Sequence, residues 1–368
     1  MKTGDMRSAR PKSVSRKSVM KKQPAPLKLV LPATSANLGP AFDSAALALK
    51  LHLQIQANVA PEFSIAATGR DREICGKLER NLVLEIYKEV VQAEGKTPLA
   101  LALKVSNQIP IGKGTGSSAA ARLAGIALAI HFGDLQWSAE RIMEEAARRE
   151  GHADNVAACW LGGFAVSQWQ KTPGLSPNGI PQTADIKNAG QSAGLYACKV
   201  NVKKSWPLLL VVPQEALPTD ESRRVVPTGF SRFQAVANIQ AAMLLAAAFA
   251  QGSKQLLAHA VQDELHQPYR ASLCPLFPEL NELSGKKGIL GVVLSGAGPS
   301  VLLLLDPDVA ARRTMQLVAA HLKARGREAE LILTEIEKRG AGDAMKPLRS
   351  EAEKKKGLRT RSRVRARF

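Results

Sequence analysis

The segment IPIGKGTGSSAAARLAGIALAI, residues 109–130, places a glycine-rich loop directly before an apolar helix. Three glycines alternate along the loop: Gly112, Gly114 and Gly116. A residue without Cβ lets backbone N–H groups approach an anion closely. Ser117 and Ser118 open the helix, whose N-terminal amides and dipole favour negative charge at the same point. The segment therefore predicts a phosphate-binding loop, against the alternative of a plain turn before a buried helix.

The loop matches neither of two common nucleotide-binding fingerprints. No Gly-Lys-Ser/Thr closes it, as a Walker A loop requires, and the third glycine of G-x-G-x-x-G is missing. The sequence therefore argues against a P-loop NTPase and against a dinucleotide-binding domain.

Hydrophobic periodicity on either side of the loop alternates between strand and helix. Strands are predicted at residues 27–37, 45–59, 65–68, 99–105, 163–169, 208–213 and 329–336, with a strand pair around a glycine loop at 288–305. Helices are predicted at 81–93, 117–131, 138–150, 231–250, 253–266 and 309–325. This order is typical of two α+β domains.

Changes in composition divide the chain into five parts. Both ends are basic and lack apolar periodicity, so we expect disordered tails at 1–26 and 339–368. The segment 171–204, which begins with a polar, proline- and glycine-rich stretch, is predicted to be a loop or linker. It separates an N-terminal domain at 27–170 from a C-terminal domain at 205–338.

The net charge of +19 belongs almost entirely to the tails. Residues 1–28 hold nine Lys and Arg against one acid, and residues 338–368 hold twelve against three, which leaves +2 for the chain between them. We interpret the tails as solubilising, with unspecific contacts to nucleic acid or an acidic partner as the alternative. Residues 1–26 also overlap in composition with an organelle transit peptide, which is the alternative to a cytoplasmic location.

Composition also bears on several function classes. Aromatic residues make up 4% of the chain, which argues against a protein that stacks many bases on its rings. The longest apolar stretch, near residues 239–250, falls short of the roughly 20 residues of a membrane span, so no membrane partner is expected. Four scattered cysteines without a CxxC pair argue against zinc and a disulfide scaffold, and favour a reducing compartment.

Three segments together resemble the GHMP small-molecule kinases. Residues 110–119 resemble the P-x-x-x-G-L-G-S-S-A-A motif, and PATSANLGPAFDSAALAL (32–49) and LSGAGPSVLLLL (294–305) resemble the first and third motifs, in the right order. The string S-A-N-L-G-P-x-F-D is similar to the homoserine kinases among them. Segments 151–164, 217–227 and 264–270 also resemble that branch. The resemblance covers roughly residues 27–338.

The resemblance implies a two-domain GHMP kinase fold of class α+β. Its N-terminal, ATP-binding domain would be a ribosomal-protein-like βαβ domain, and its C-terminal domain a ferredoxin-like sandwich, with the site between them. It implies ATP as co-substrate, Mg²⁺ as cofactor, L-homoserine as substrate and a homodimer. The alternatives are another GHMP kinase, such as a threonine or shikimate kinase, and a basic-tailed RNA-associated protein whose kinase body is vestigial.

The resemblance also implies site residues. The ATP-binding set is Asn81, Pro110, Ile111, Gly112, Lys113, Gly114, Thr115, Gly116, Ser117 and Ser118. Ser118 would ligate Mg²⁺ with the glutamate ten residues before Asp154, which is Glu144. The substrate would contact Asn37 and Asp43 through its ammonium, and Arg223 and Arg270 through its carboxylate, since a guanidinium binds a carboxylate with two parallel hydrogen bonds. Asn155, His152 and Arg270 are the predicted catalytic, positioning residues.

Plainer interpretations stand beside these roles. Glu144 could form a surface pair with Arg148, Arg223 could be surface charge, and Asn81 could be a helix N-cap. Asp154 is left open between a base and a buried structural contact. The chain also departs from the family pattern at three positions: Ala41, Lys113 and Thr115.

Overall fold

A computed structural model describes residues 24–169 and 194–345 of the chain. Its N-terminal domain contains a six-stranded sheet in the order β3-β4-β2-β5-β6, with β1 paired to β2. The strands are β1 Leu27–Asn37, β2 Ala41–Val59, β3 Ser64–Gly69, β4 Leu101–Asn107, β5 Phe164–Trp169 and β6 Leu195–Val200. The helices are α1 Arg72–Cys75, α2 Leu82–Ala93, α3 Ser117–Phe132, α4 Ala139–Glu150 and α5 Asp154–Leu161. β3 and β4 pair in parallel with α1 and α2 between them, which is the expected βαβ unit.

Small residues let α3 lie close to α2 in the core of this domain. Ten of the sixteen residues of α3 are buried, and five of those are alanine. A Cβ on Gly125 would lie 2.6 Å from the carbonyl oxygen of Val83 and 2.7 Å from Cβ of Ile86. The alanine- and glycine-rich sequence after the loop therefore fixes the position of the N-terminus of α3.

The C-terminal domain is an antiparallel sheet in the order β10-β7-β9-β8. Its strands are β7 Pro207–Pro213, β8 Ile289–Leu294, β9 Val301–Leu305 and β10 Ala329–Glu335. Its helices are α6 Thr219–Arg224, α7 Arg232–Gln251, α8 Lys254–His259, α9 Gln267–Arg270, α10 Leu276–Asn281 and α11 Ala311–Ala324. Taking β7 as the first strand, the spatial order is 4-1-3-2, that of the expected ferredoxin-like sandwich. The helix predicted at 253–266 is wrong beyond His259, where the chain turns before α9.

Two of the expected domain boundaries need correction. Residues 195–200, placed in the linker 171–204, form β6 and pair with β5 along its whole length. The tail expected from residue 339 begins later, because Ala341–Met345 forms a further helix, α12, with Ala341 buried. The remainder of the predicted linker and both predicted tails lie mostly outside the described residues.

The end of the described chain returns to the N-terminal domain. Ile336 forms a bridge with Leu49, and the backbone of Glu337 bonds to both Ala48 and Gly163. A Cβ on Gly340 would lie 2.1 Å from the carbonyl oxygen of Trp160. The last residues thus pack on α5 and tie the second domain to the first.

Within the two described ranges, α7 is long and apolar enough to cross a membrane by length and composition. The expectation drawn from a stretch of about 12 residues therefore underestimated this helix. Asn238, in its first half, is buried, donates to the carbonyl oxygen of Pro40 and accepts from the N–H of Glu264. Leu245 and Phe249 lie in the hydrophobic core. One face of α7 is therefore packed against both domains.

Candidate active site

The three resembling segments meet at the glycine-rich loop. The N–H of Thr34 donates to the carbonyl oxygen of Thr115 over 3.0 Å. Ser295 Oγ donates to the carbonyl oxygen of Gly114 over 2.8 Å, and the N–H of Ser300 donates to that of Lys113 over 3.3 Å. The loop is therefore held from both sides, by the end of β1 and by the β8–β9 connection.

The alternating glycines serve the packing of this loop as much as any ligand. All three have a positive φ: Gly112 at 71°, Gly114 at 75° and Gly116 at 67°. A Cβ on Gly114 would lie 2.2 Å from the carbonyl oxygen of Ser295, and one on Gly116 would lie 1.8 Å from Thr34 Oγ1. A Cβ on Gly112 meets only Ala216, at 3.6 Å. Two of the three glycines are thus required by neighbouring protein atoms.

A mostly apolar cavity of about 350 Å³ opens beside the loop. It is lined by residues of α1, α2 and β4, by Ile111 and Gly112 of the loop, and by Ser117 and Ser118 at the start of α3. Its volume and apolar walls suit a flat heteroaromatic ring whose phosphate chain runs to the start of α3. Pro110 and Lys113 line a different cavity, and Lys113 Nζ donates to the carbonyl oxygen of Gln214.

Two predicted ATP-binding residues have structural roles as well. Asn81 lines the cavity and is the N-cap of α2: its Oδ1 accepts from the N–H of Leu84. Its Nδ2 donates to the carbonyl oxygens of Cys75 and Lys77. Thr115 is buried and donates from Oγ1 to the carbonyl oxygen of Pro110 over 2.6 Å, which closes the loop on itself.

The carboxylate next to Ser118 is Glu150, and the prediction of Glu144 needs correction. Ser118 Oγ donates to Glu150 Oε2 over 3.0 Å, and Arg122 Nη1 contacts both groups. Glu144 has no hydrogen bond or ion pair with any described residue, and Arg148 pairs with Glu145 instead. Gly151 ends α4 with a φ of 86°, so the last carboxylate of the helix faces the start of α3.

Ser118 and Glu150 suit a hard cation that arrives with phosphate. Both offer oxygen ligands, and Mg²⁺ in such sites takes one or two carboxylates plus phosphate oxygens rather than a full protein cage. The described part of the chain holds no group of three or more His, Cys, Asp and Glu placed to bind a metal by themselves. The donor set therefore fits Mg²⁺ bound together with a nucleotide.

A cluster of opposite charges lies on the other side of the β8–β9 connection. Arg223 makes two hydrogen bonds to Asp43, of 2.8 and 3.1 Å. Arg270 is 1% exposed, donates from Nε to the carbonyl oxygen of Ser222 over 3.0 Å, and lies 5.2 Å from the ring of Phe42. Two predicted substrate ligands, Asp43 and Arg223, therefore contact each other.

The charged groups of this cluster shift one another's pKa values. Burial alone would raise the pKa of Asp43, but the hydrogen bond and charge of Arg223, with the charges of His152 and Arg270, hold it below its ordinary value. Burial and the charge of Arg223 lower the pKa of Arg270 to about 10. The cluster thus holds one carboxylate and two guanidinium groups, all ionised at neutral pH.

Asn37 links this cluster to the loop. Its Nδ2 donates to the carbonyl oxygen of Gly296 over 2.9 Å, and its Oδ1 accepts from the N–H of Asp43 over 3.0 Å. Arg270 Nη1 donates to the same oxygen of Gly296 over 3.4 Å. Because Ser295 contacts the glycine-rich loop, the charge cluster and the loop are neighbours across one short segment.

The predicted positioning residues, His152 and Asn155, lie between the charge cluster and the glycine-rich loop. His152 Nδ1 lies 2.7 Å from Asp154 Oδ1, which also accepts from the N–H of Asn155 over 2.7 Å. Thr34 Oγ1 donates to Asn155 Oδ1 over 2.6 Å. Asp154 is buried and is occupied by these contacts, as the structural interpretation expects.

Several residues of the site carry no signal that the sequence analysis used. They are Thr34, Arg122, Glu150, Ser222 and Ser295, together with His266, whose Nδ1 lies 3.1 Å from Arg270 Nη1. Thr34 and Ser295 lie within quoted motifs, and Glu150 immediately precedes the GHADN string. Proximity to that string, rather than a fixed count of ten residues, was the available signal for Glu150.

Two family models and several curated relatives match this chain. The model of the GHMP kinases N terminal domain matches residues 81–163, and that of the GHMP kinases C terminal matches residues 245–323. Homoserine kinase of Solibacter usitatus is 38% identical over 314 residues, which is 85% of this chain and 95% of that protein. Homoserine kinase of Carboxydothermus hydrogenoformans is 33% identical over 316 residues, which is 86% and 96%.

Solved structures extend the comparison to the fold. The crystal structure of homoserine kinase from Cytophaga hutchinsonii has a TM-score of 0.67 at 22% identity, covering 86% of this chain and 96% of that one. L. major mevalonate kinase in complex with R-mevalonate has a TM-score of 0.62 at 15% identity, covering 87% and 99%. The predicted two-domain GHMP kinase fold is confirmed. Because curated relatives at 38% and 33% identity are matched over nearly their whole length, the chain belongs to the homoserine kinase family of GHMP kinases.

Proposed function

We propose that this chain transfers the γ-phosphoryl group of ATP to the side-chain hydroxyl of L-homoserine, giving O-phospho-L-homoserine and ADP, a step toward threonine. The observation that carries the proposal is the charge cluster beside the glycine-rich loop. One carboxylate, Asp43, and two guanidinium groups, of Arg223 and Arg270, match an ammonium and a carboxylate on one small molecule. The names of the curated relatives support the same substrate.

The reaction forms one bond and breaks one. The substrate hydroxyl oxygen attacks the γ-phosphorus, the bond to the bridging oxygen of ADP breaks, and the hydroxyl proton is released. Because the transition state of such a transfer is loose, orientation and charge stabilisation matter more than early deprotonation. Asn155 and His152, fixed by Thr34 and Asp154, would position the reactants. The backbone of the loop would hold the phosphates.

A substrate panel tests this function. ADP release should be fastest with L-homoserine, because it has the ammonium, the carboxylate and a primary hydroxyl. Shikimate lacks the ammonium that Asp43 would bind, and mevalonate lacks it as well. L-Threonine keeps both charges but presents a secondary hydroxyl. Faster turnover of threonine, shikimate or mevalonate than of homoserine would replace the proposed substrate.

Mg²⁺ supplies charge neutralisation to the phosphates when bound, and Ser118 and Glu150 would hold it. Glu150→Gln keeps the size of the side chain but removes its charge, so turnover should fall by orders of magnitude and recover in part at high Mg²⁺. Glu144→Gln, on the same helix, is the matched control and should leave the Mg²⁺ dependence unchanged. If Glu144→Gln changes the Mg²⁺ dependence of turnover and Glu150→Gln does not, Glu144 is the ligand.

A homodimer through α7 is the proposed assembly. Four apolar side chains are exposed on this helix: Phe233 at 79%, Val236 at 46%, Ile239 at 62% and Met243 at 69%. No charged residue occurs in α7 after Arg232, so a second copy of the helix would meet this face without charge repulsion. Light scattering should give twice the chain mass for the wild type and the monomer mass for Ile239→Glu. A monomeric wild type would remove the proposal.

We infer a cytoplasmic location from the cysteines. Cys75, Cys159, Cys198 and Cys274 are all free in the described chain. The competing transit-peptide interpretation of residues 1–26 lies almost wholly outside the described residues. N-terminal sequencing of the protein isolated from its source would find the intact start in the cytoplasmic case and a processed start in the other.

A further inference from the structure

Arg122 lies on the two groups proposed to hold the metal. Its Nη1 is within hydrogen-bond distance of both Ser118 Oγ and Glu150 Oε2. The side chains of Arg122 and Glu150 are 20% and 10% exposed, so solvent screens the pair only in part. A cation of the protein therefore occupies the position that a second cation must reach.

The position of Arg122 in α3 also directs it toward the loop. It is four residues after Ser118, hence on the same face of the helix, and helical side chains lean toward the N-terminus. Its Nε is buried and has no hydrogen-bond partner among the described residues. The guanidinium thus keeps unused donor capacity one helical turn from the phosphate-binding amides.

Two cations in contact with one carboxylate repel each other, so a divalent ion held by Glu150 weakens the present contact of Arg122 with that carboxylate. The alternative anion at the start of α3 is a bound phosphate, whose oxygens match the planar fork of a guanidinium.

We propose that Arg122 changes partner on nucleotide binding. It pairs with Glu150 in this structure, and it binds a phosphate oxygen of the nucleotide once Glu150 is engaged by the metal. The inference rests on the proposed function, because it takes Ser118 and Glu150 as the ligands of Mg²⁺. Arg122 would then be a nucleotide-binding residue whose contribution depends on the state of Glu150.

Calorimetry of ADP binding without metal, in the presence of EDTA, tests the exchange. The four proteins are the wild type, Arg122→Gln, Glu150→Gln and the double variant. In the Glu150→Gln background Arg122 is released, so its removal should weaken ADP binding at least about tenfold more than it does in the wild-type background. A through-space charge effect alone would be the same in both backgrounds.

If removing Arg122 weakens ADP binding equally in the two backgrounds, the proposal is wrong, because pairing with Glu150 would then not keep Arg122 from contacting the nucleotide. Thermal unfolding checks that each variant folds. If Arg122→Gln does not fold, Arg122→Lys takes its place in the same cycle. Lysine keeps a positive charge beside Glu150 but lacks the planar fork of the guanidinium. Repeating the titration with Mg²⁺ tests the trigger separately: if Mg²⁺ tightens ADP binding equally in the wild type and in Glu150→Gln, Glu150 does not hold the metal and the proposed change of partner has no trigger.

Discussion

Gly116 is the residue where the loop tolerates least change. With a φ of 67° and Thr34 Oγ1 at 1.8 Å from the position of a Cβ, any side chain must displace the contact between Thr34 and Asn155. Gly116→Val should therefore weaken ATP binding at least about tenfold and lower stability by about 1–3 kcal/mol. Calorimetry and thermal unfolding measure the two effects.

Gly112→Ala is the matched control, because its Cβ meets only Ala216 at 3.6 Å although its φ is also positive. Gly112→Ala should weaken ATP binding less, and destabilise the protein less, than Gly116→Val does. Equal losses at the two positions would mean that backbone conformation, and not the contact with Thr34, decides the loop.

Arg270 is the second residue with a sharp expectation. Lysine keeps the charge but cannot reproduce the bond to Ser222 and also present a fork to a substrate carboxylate. Losing one charge-assisted hydrogen bond should cost about 1.5–3 kcal/mol, or roughly 10- to 150-fold in kcat/KM for homoserine, with ATP affinity unchanged. Arg224, which is exposed and follows Arg223 in the chain, provides the control, since Arg224→Lys should change neither kcat/KM for homoserine nor ATP affinity.

Homoserine methyl ester refines this test, because it lacks the carboxylate charge and should discriminate far less between the wild type and Arg270→Lys. Weaker ATP binding with an intact homoserine KM would contradict the placement of the two ligands on either side of Gly296.

His152 gives the site a pH dependence. Burial alone would lower its pKa, but the charge and hydrogen bond of Asp154, with the charges of Glu150 and Asp43, raise it above 6.5. A raised pKa means that the folded state binds the proton more tightly, so this stability is complete below about pH 6.5 and is lost as the pH rises through the folded value. Urea unfolding between about pH 6 and pH 9 should show the loss. His152→Gln should flatten the dependence of the free energy of unfolding on pH. An unchanged dependence in this variant would assign the loss of stability to other groups.

At this scale the sequence predicted residue types better than partners. Ser118, Asn155 and Arg270 belong to segments that the fold brings together, and their roles stay predictions. Ser118 contacts Glu150 rather than Glu144, because a count of residues along the chain does not determine which carboxylate of α4 lies beside the start of α3. The pairing of Asp43 with Arg223 crosses 180 residues, and no local pattern contains it.

Among the elements, α12 has the most testable role. Ala341 is buried, and Gly342 lies against the ring of Trp160, so the helix covers one side of α5. Ending the chain after Glu337 should destabilise the protein by about 2 kcal/mol, roughly 2–4 °C in Tm for a chain of this size. Ending it after Met345 removes only residues beyond the described helix and should leave Tm within about 1 °C of the wild type. Equal Tm values for the two truncations would show that α12 adds no stability.

Among the helices, the long ones were predicted and most of the short ones were not. The helices α2, α3, α4, α7 and α11 agree with their predicted positions to within a few residues. α5, α6 and α9 have eight residues or fewer, which is too short for a periodic pattern to be distinguished from a loop. They nonetheless supply Asn155, Arg223 and Arg270, so the elements that carry the site are those the sequence described least.

For the whole molecule, the basic ends and the nearly neutral body lead to separate predictions, one for RNA binding and one for kinase activity. Full-length protein should bind RNA weakly, with an affinity that falls steeply as salt rises, because the contacts would be electrostatic. A chain limited to residues 24–345 should lose that binding and keep its kinase activity. RNA binding by the shortened chain that resists salt would instead support an RNA-associated protein.

The return of residues 336–345 to the first domain has a consequence for synthesis. Domains made on the ribosome generally fold in order from the N-terminus. Here the surface of α5 around Trp160 stays uncovered until more than 170 further residues have been made. The nucleotide-binding half therefore leaves the ribosome unfinished, and the completed enzyme appears only when α12 is released.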